Sequence, residues 1–416
     1  MRTQVKMAVM ADNFQRLLFA VLVTLLALMF VLATTSCGDD SGNDDSKSTD
    51  GNNPGDDDDD DSTTVTGIEW NRPLQVGGDP SVVFDDQDKM HISYFDYSDK
   101  DLRYATNADG DWRIETPDAE GWAGVRTDIA LLAGRPVISY RNEYSIKVAQ
   151  SLESGWQIET VEIEPAGMFD GATSIATSMT GDLYVGYFLG GDNILKTATY
   201  DEVKSEWNTR VVDGNLVTGF DMSMVRDAAG RLQFAYGYIT DEGTDLYLAV
   251  SDDDGFALEP AVTGGEIGWY VSLAVDTNGA AHISHYNSNE NGLSYTTNSD
   301  GEWKSEIVDA GTEEIPEVGV ETAIALDVQQ RPRIAYVDGE RGMLCLASKN
   351  DDDWMIEDID EIGYDTTLPG GTALAYDSFG APAVVYFDYN LASLKVAKQQ
   401  TGSWIVEIVD GPELPE

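Results

Sequence analysis

The sequence predicts an all-β, seven-bladed β-propeller of four-stranded antiparallel blades, carried behind an export signal and an acidic spacer. Three observations predict it. Residues 91–112 (HISYFDYSDKDLRYATNADGDW) return almost unchanged at 282–303 (HISHYNSNENGLSYTTNSDGEW). A short strand motif recurs seven times: LRYA at 102–105, IKVA at 146–149, LKTA at 195–198, LYLA at 246–249, LSYT at 293–296, LCLA at 344–347 and LKVA at 394–397. Glycine is abundant, with 40 residues, and 19 tyrosines accompany it, as many short strands separated by turns require.

The N-terminus reads as an address. Arg2, Lys6 and Arg16 precede the apolar run Leu17–Ala33, and Thr34-Thr35-Ser36-Cys37 follows, so residues 1–36 are expected to be a signal peptide. The small residues before Cys37 resemble the lipobox of bacterial lipoproteins, which implies lipidation of Cys37. Thr34 stands where that pattern usually has leucine. A short uncleaved anchor is the alternative, since about 17–25 apolar residues span a bilayer. Residues 37–65 are expected to be a tether. Between 38 and 64 there are eleven Asp and one Lys, too little apolar surface to offset the entropy of ordering.

The remainder, 66–416, is read as the propeller, with blades at roughly 79–124, 125–171, 172–220, 221–270, 271–321, 322–370 and 371–416. In each copy a first strand (SVVFD from Ser81, TDIAL from Thr127, SIATS from Ser174, SMVRD from Ser223, SLAVD from Ser272, AIALD from Ala323, ALAYD from Ala373) leads into a second. The second carries a bulky column: Tyr94, Tyr140, Tyr187, Tyr236, His285, Tyr336 and Tyr386. Small residues precede it at Ser93, Ser139, Gly186, Ala235, Ser284 and Ala335. A fourth strand opens at Trp112, Trp156, Trp207, Phe256, Trp303, Trp354 and Trp404. Columns fixed in every copy are what packing between blades demands. Residues 66–76 (TGIEWNRPLQV) also look like a Trp-led strand, which leaves six or eight blades as alternatives.

The turns NADGDW (107–112), NSDGEW (298–303) and QTGSW (400–404) resemble the Asp-box, or BNR-like, turns of bacterial secreted propellers related to the sialidase superfamily. That resemblance implies the fold and makes these turns structural. It raises a sialidase-like glycoside hydrolase as one possible activity. A sialidase needs three arginines converging on a carboxylate, a tyrosine nucleophile beside a glutamate, and an acid-base aspartate. Arg126, Arg141, Arg210 and Arg226 share no column, so no catalytic residue is assigned.

Composition narrows the partners. Against 25 basic residues stand 75 acidic ones, a formal charge of −50, which excludes nucleic acid. Only Cys37 and Cys345 are present, so no disulfide framework is expected, and Cys345 reads as a buried small hydrophobe. The three histidines, His91, His282 and His285, form no transition-metal spacing. No cofactor is assigned, though Ca²⁺ on acidic loops stays open.

Chain direction puts the tight first-to-second and third-to-fourth turns on one face, and the more variable connections on the other. Ligand residues are expected on the variable face: Trp122, Phe169, Phe220 and Trp269 between blades, and Asp96, Asn142, Asp338 and Asp388 at the second-to-third turns. Aromatics beside carboxylates or amides suit sugars, and they suit a protein surface too. The sequence therefore points to a non-enzymatic recognition module in the cell envelope, lipid-anchored at the outer membrane or cell surface. Its expected partner is a glycan or an envelope or extracellular protein. A sialidase-like hydrolase and a passive envelope scaffold are the alternatives.

Overall fold

The computed structural model describes residues 75–412 apart from 165–170, 202, 215–216, 242, 312–316, 351–352 and 366–369. The signal, the tether and residues 66–74 lie outside the described residues. The strands Val76–Phe84, Met90–Asp96, Asp101–Thr106 and Arg113–Asp118 form the first of seven four-stranded sheets. Six more follow, at 125–163, 173–213, 217–262, 267–310, 318–361 and 372–410. Every sheet takes four consecutive strands, paired antiparallel in chain order. The first strands of successive blades are neighbours, and that of the last blade meets that of the first. The ring therefore closes without exchanging a strand. Val76 N–H donates to Ala392 O at 3.3 Å, Asp79 N–H to Gly370 O at 2.9 Å, and Ser378 N–H to Asp88 Oδ1 at 2.7 Å across that closure.

The bulky column is buried in the seams, and the structure adds what its hydroxyls do. Each donates to the carboxylate that ends the fourth strand of the preceding blade. Tyr94 reaches Asp410 at 2.6 Å, Tyr140 reaches Asp118 at 2.6 Å, and Tyr187 reaches Glu162 at 2.5 Å. Tyr236 reaches Asp213 at 2.9 Å, Tyr336 reaches Asp309 at 2.6 Å, and Tyr386 reaches Asp360 at 2.6 Å. Lys147, Lys196 and Lys395 add a cation to three of these latches. A buried hydroxyl needs such a partner, and a carboxylate acceptor makes the bond strong. Between blades 4 and 5 both halves change together: His285 replaces the tyrosine and Val262 stands where the carboxylate would be. His285 is fully buried, and burial pushes its pKa down to about 4.

Small residues beside the bulky column face the other seam. Ser139 Oγ lies 3.1 Å from Thr173 Oγ1 and Ser284 Oγ 2.6 Å from Thr322 Oγ1. A Cβ on Gly186 would fall 2.6 Å from Phe234, so only glycine fits there. The innermost strands solve their open-edge problem the same way. Ser223 Oγ accepts from Leu273 N–H at 3.1 Å, and Ser272 Oγ from Ile324 N–H at 3.1 Å. In blade 2 the register places Asp128 in this column, one residue after the Thr127 at which the repeat motif begins, because Asp128 pairs with Ser139. Its carboxylate accepts from Ser81, Ser174 and the N–H groups of Ile129 and Ile175, while burial raises its pKa.

Candidate functional site

In four blades the first strand is interrupted two residues before the serine column; in blade 4 a longer break runs from Val217 to Met222, and in blades 3 and 7 the paired strand begins just after this place. The register slips between Gly78 and Ser81, Val125 and Asp128, Trp269 and Ser272, and Val320 and Ala323. A bulge of this kind re-aims one side chain, here toward the ring axis. The residues at this place are Asp79, Arg126, Ala172, Asp221, Tyr270, Glu321 and Gly371. Four adopt left-handed backbone: Asp79 at φ 46°, Arg126 at 54°, Tyr270 at 52° and Glu321 at 53°. That region is uncommon for residues with a Cβ, and such strain gathers at functional sites.

The bulges lock to one another around the ring. Asp79 Oδ2 accepts from Arg126 N–H at 3.0 Å, Asp221 Oδ2 from Tyr270 N–H at 2.8 Å, and Glu321 Oε2 from Gly371 N–H at 2.8 Å. Thr173 Oγ1 donates to Arg126 O at 2.6 Å and Thr322 Oγ1 to Tyr270 O at 3.0 Å. Because Ala172 of blade 3 is short, Arg126 of blade 2 reaches past it. Its Nη1 lies 3.7 Å from Asp79 and 3.6 Å from Asp221, so one guanidinium ties blades 1, 2 and 4 at the mouth.

An arc of aromatics stands around this ring. Tyr97 covers Gly78, whose added Cβ would collide with its ring at 2.2 Å. Tyr389 packs edge-on against Tyr364 at 5.4 Å and against Phe387 at 5.0 Å, and Tyr270 against Tyr286 at 6.5 Å. The Tyr389 hydroxyl donates to Glu321 Oε1 at 2.5 Å. Burial dominates the titration of Glu321 and lifts it to about 7, although the Tyr389 and Gly371 donors pull the other way. Tyr389 itself is held far above the ordinary phenol range by burial and by Glu321, so it stays a neutral donor.

The residues singled out from the sequence fall around this mouth in different ways. Asp96 accepts from Ser98 N–H, Asp99 N–H and Arg103 Nε, and Asn142 from Tyr144 N–H and Ser145. Asp338 accepts from Arg341 N–H and Nε, and Asp388 from Leu391 N–H with Lys395 beside it. These four side chains close their own turns. The residues that follow two of them, Tyr97 and Tyr389, are the ones that reach the mouth. Trp122 stacks on Phe95 at 6.2 Å with Lys100 Nζ 4.5 Å above it, half-buried. Trp269 is half-buried beside Tyr270, opposite Tyr286. Phe169 and the side chain of Phe220 lie outside the described residues. Of the arginines, Arg141 is buried in a seam against Glu164 at 2.5 Å, Arg210 lies over Phe256 at 5.8 Å, and Arg226 over Tyr184 at 5.8 Å. Among the described residues no three His, Cys, Asp or Glu side chains form a metal-binding group.

No family model matches the sequence, and none of the curated proteins matches it. Among solved structures, an ulvan lyase of polysaccharide lyase family PL25, bound to -[GlcA(1-4)Rha3S]-, aligns with a TM-score of 0.54 at 11% identity, covering 80% of this chain and 96% of that chain. AofleA from Arthrobotrys oligospora aligns at 0.49 with 13% identity, over 70% of this chain and 88% of that one. The Hadza microbial sialidase Hz136 aligns at 0.42 with 12% identity, over 69% and 70%. At such identities the likeness concerns the propeller fold.

Proposed function

We propose that this chain is an exported, lipid-anchored propeller that recognises a neutral glycan at the mouth of its central channel. One observation carries the reading. The bulge position turned toward the axis differs in chemistry from blade to blade, while the columns around it stay fixed. A mixture of carboxylate, guanidinium and phenol groups on strained backbone, ringed by tyrosines, offers what a sugar needs: aromatic faces for C–H surfaces and polar groups for hydroxyls. Neutral glycans are favoured because Arg126 is already flanked by Asp79 and Asp221, and because the whole chain is strongly anionic. The same flanking disfavours a sialidase-type carboxylate receptor.

Hydrolysis has one observation in its favour. Glu321 titrates near neutrality beside a phenol donor, as a general acid-base requires. The separating experiment is a glycan array on the full chain, followed by product analysis of each bound glycan. Selective binding lost in Arg126→Ala and Tyr389→Phe, with the glycan recovered intact, supports recognition. Cleavage abolished by Glu321→Gln replaces it with the hydrolase. A blank array with a folded chain removes the glycan.

A further inference from the structure

A second candidate site lies away from the mouth, on the tight-turn side between blades 4 and 5. An open groove of about 740 Å³ is walled by strands of blade 4 and closed at one end by Gly279 and Asn298 of blade 5. This volume falls within the ordinary range of ligand pockets.

Two other blades fill the place that Leu248 leaves open in blade 4. In blades 1 and 5 the second strand carries His91 and His282, and the hydroxyls of Tyr104 and Tyr295 on the third strand lie 2.5 Å from their Nδ1 atoms. In blade 4 the equivalent pair is Gln233 and Leu248. Leucine is shorter than tyrosine and has no hydroxyl. Gln233 is 1% exposed and lines the groove. Its Nε2 donates to Asp227 Oδ2 at 3.1 Å and to Gly279 O at 3.1 Å, which fixes the amide orientation. Its Oε1 is buried with no donor. A buried carbonyl without a donor costs free energy comparable to a lost hydrogen bond.

We propose that this groove takes a lysine side chain presented by a basic partner. Leu248, Val250, Ala257 and Leu258 provide an aliphatic wall for the stem. Asp252, Asp253 and Glu259 line the same groove and are exposed, so they meet the ammonium before it is fully desolvated. The one guanidinium in the lining, Arg231, donates to Asp227 Oδ2 at 2.8 Å, so its charge is compensated. Gln233 Oε1 supplies the acceptor that an N–H donor completes.

The test is calorimetric titration of the full chain with Nα-acetyl-lysine amide, with Nα-acetyl-norleucine amide as the uncharged stem. The lysine probe is expected to bind at least tenfold more tightly than norleucine. Leu248→Tyr copies blades 1 and 5, fills the groove and donates to Gln233; it is expected to weaken binding at least tenfold. Gln233→Leu and Glu259→Gln, which leave the groove open, are expected to weaken it several-fold to tenfold. Arg126→Ala at the mouth is expected to leave it unchanged, which separates this site from the glycan proposal. Equal binding of norleucine, no binding of the lysine probe, or binding indifferent to all three groove variants would overturn the assignment.

Discussion

The two ends of the channel use similar residues to opposite purposes. On the tight-turn face Asp85, Asp227, Asp276, Asp327 and Asp377 recur at the same place, and each accepts backbone N–H groups of its own turn. At the mouth the bulge position carries six residue types over the seven blades, with only aspartate used twice, and its carboxylates reach across to the next blade. A position that does one mechanical job keeps its aspartate in five of the seven blades, and Ser178 does the same job in blade 3; the bulge position at the mouth varies. Repetition therefore separates scaffold from site within one chain.

The largest effect is expected where a latch is broken. Asp118→Ala leaves the buried Lys147 ammonium and the Tyr140 hydroxyl without their shared acceptor, and about 3 kcal/mol of stability or more should be lost in urea unfolding. Glycan binding at the mouth should survive wherever the domain remains folded.

Next comes Glu321. Its folded form keeps a proton up to about 7, whereas an ordinary glutamate releases it near 4.5. The folded state then holds more protons than the unfolded state between these values. Stability from this group is full below pH 4.5 and is lost as pH rises to about 7, a swing of about 3 kcal/mol. Glu321→Gln should flatten that part of the stability curve. His285 acts with the opposite sign, since burial depresses it to about 4, and its contribution is lost as pH falls from about 6.5 to 4. Wild type and variant compared at each pH isolate the Glu321 share.

A smaller loss, about 1 kcal/mol, is expected for Tyr386→Phe, which deletes one latch hydroxyl and leaves Asp360 its bond to Lys395. The smallest stability change belongs to the mouth. Asp221→Asn retains the acceptor for Tyr270 N–H and should shift the unfolding midpoint by less than about 0.5 kcal/mol. It should still weaken glycan binding, because it unbalances Arg126.

Much of the scaffold was legible in the sequence because it repeats. The tyrosine column, the small residues beside it and the Leu-Ala strands identify seven four-stranded blades. What the tyrosines bond to was hidden, since the partner of Tyr140 is Asp118 in the preceding copy. The mouth was hidden for the converse reason: a search for constant columns passes over Asp79, Arg126, Asp221, Tyr270 and Glu321. A signal was present, in the changing residue two places before each serine column. Asp96 and Asp388 lie on the turns that border the mouth, but an Asp starting a tight turn takes that turn's own N–H groups, and it is the next residue, Tyr97 or Tyr389, that reaches the mouth.

The central claim is that recognition lives at the mouth and that the repeated columns are scaffold. The most direct measurement is glycan affinity and unfolding midpoint, side by side, for Arg126→Ala, Tyr389→Phe, Tyr386→Phe and Asp118→Ala in the full chain. The expected result is a loss of affinity of tenfold or more with little change of midpoint for the first two, and a lowered midpoint with retained affinity for the others. Affinity that follows the midpoint across all four variants would contradict the claim.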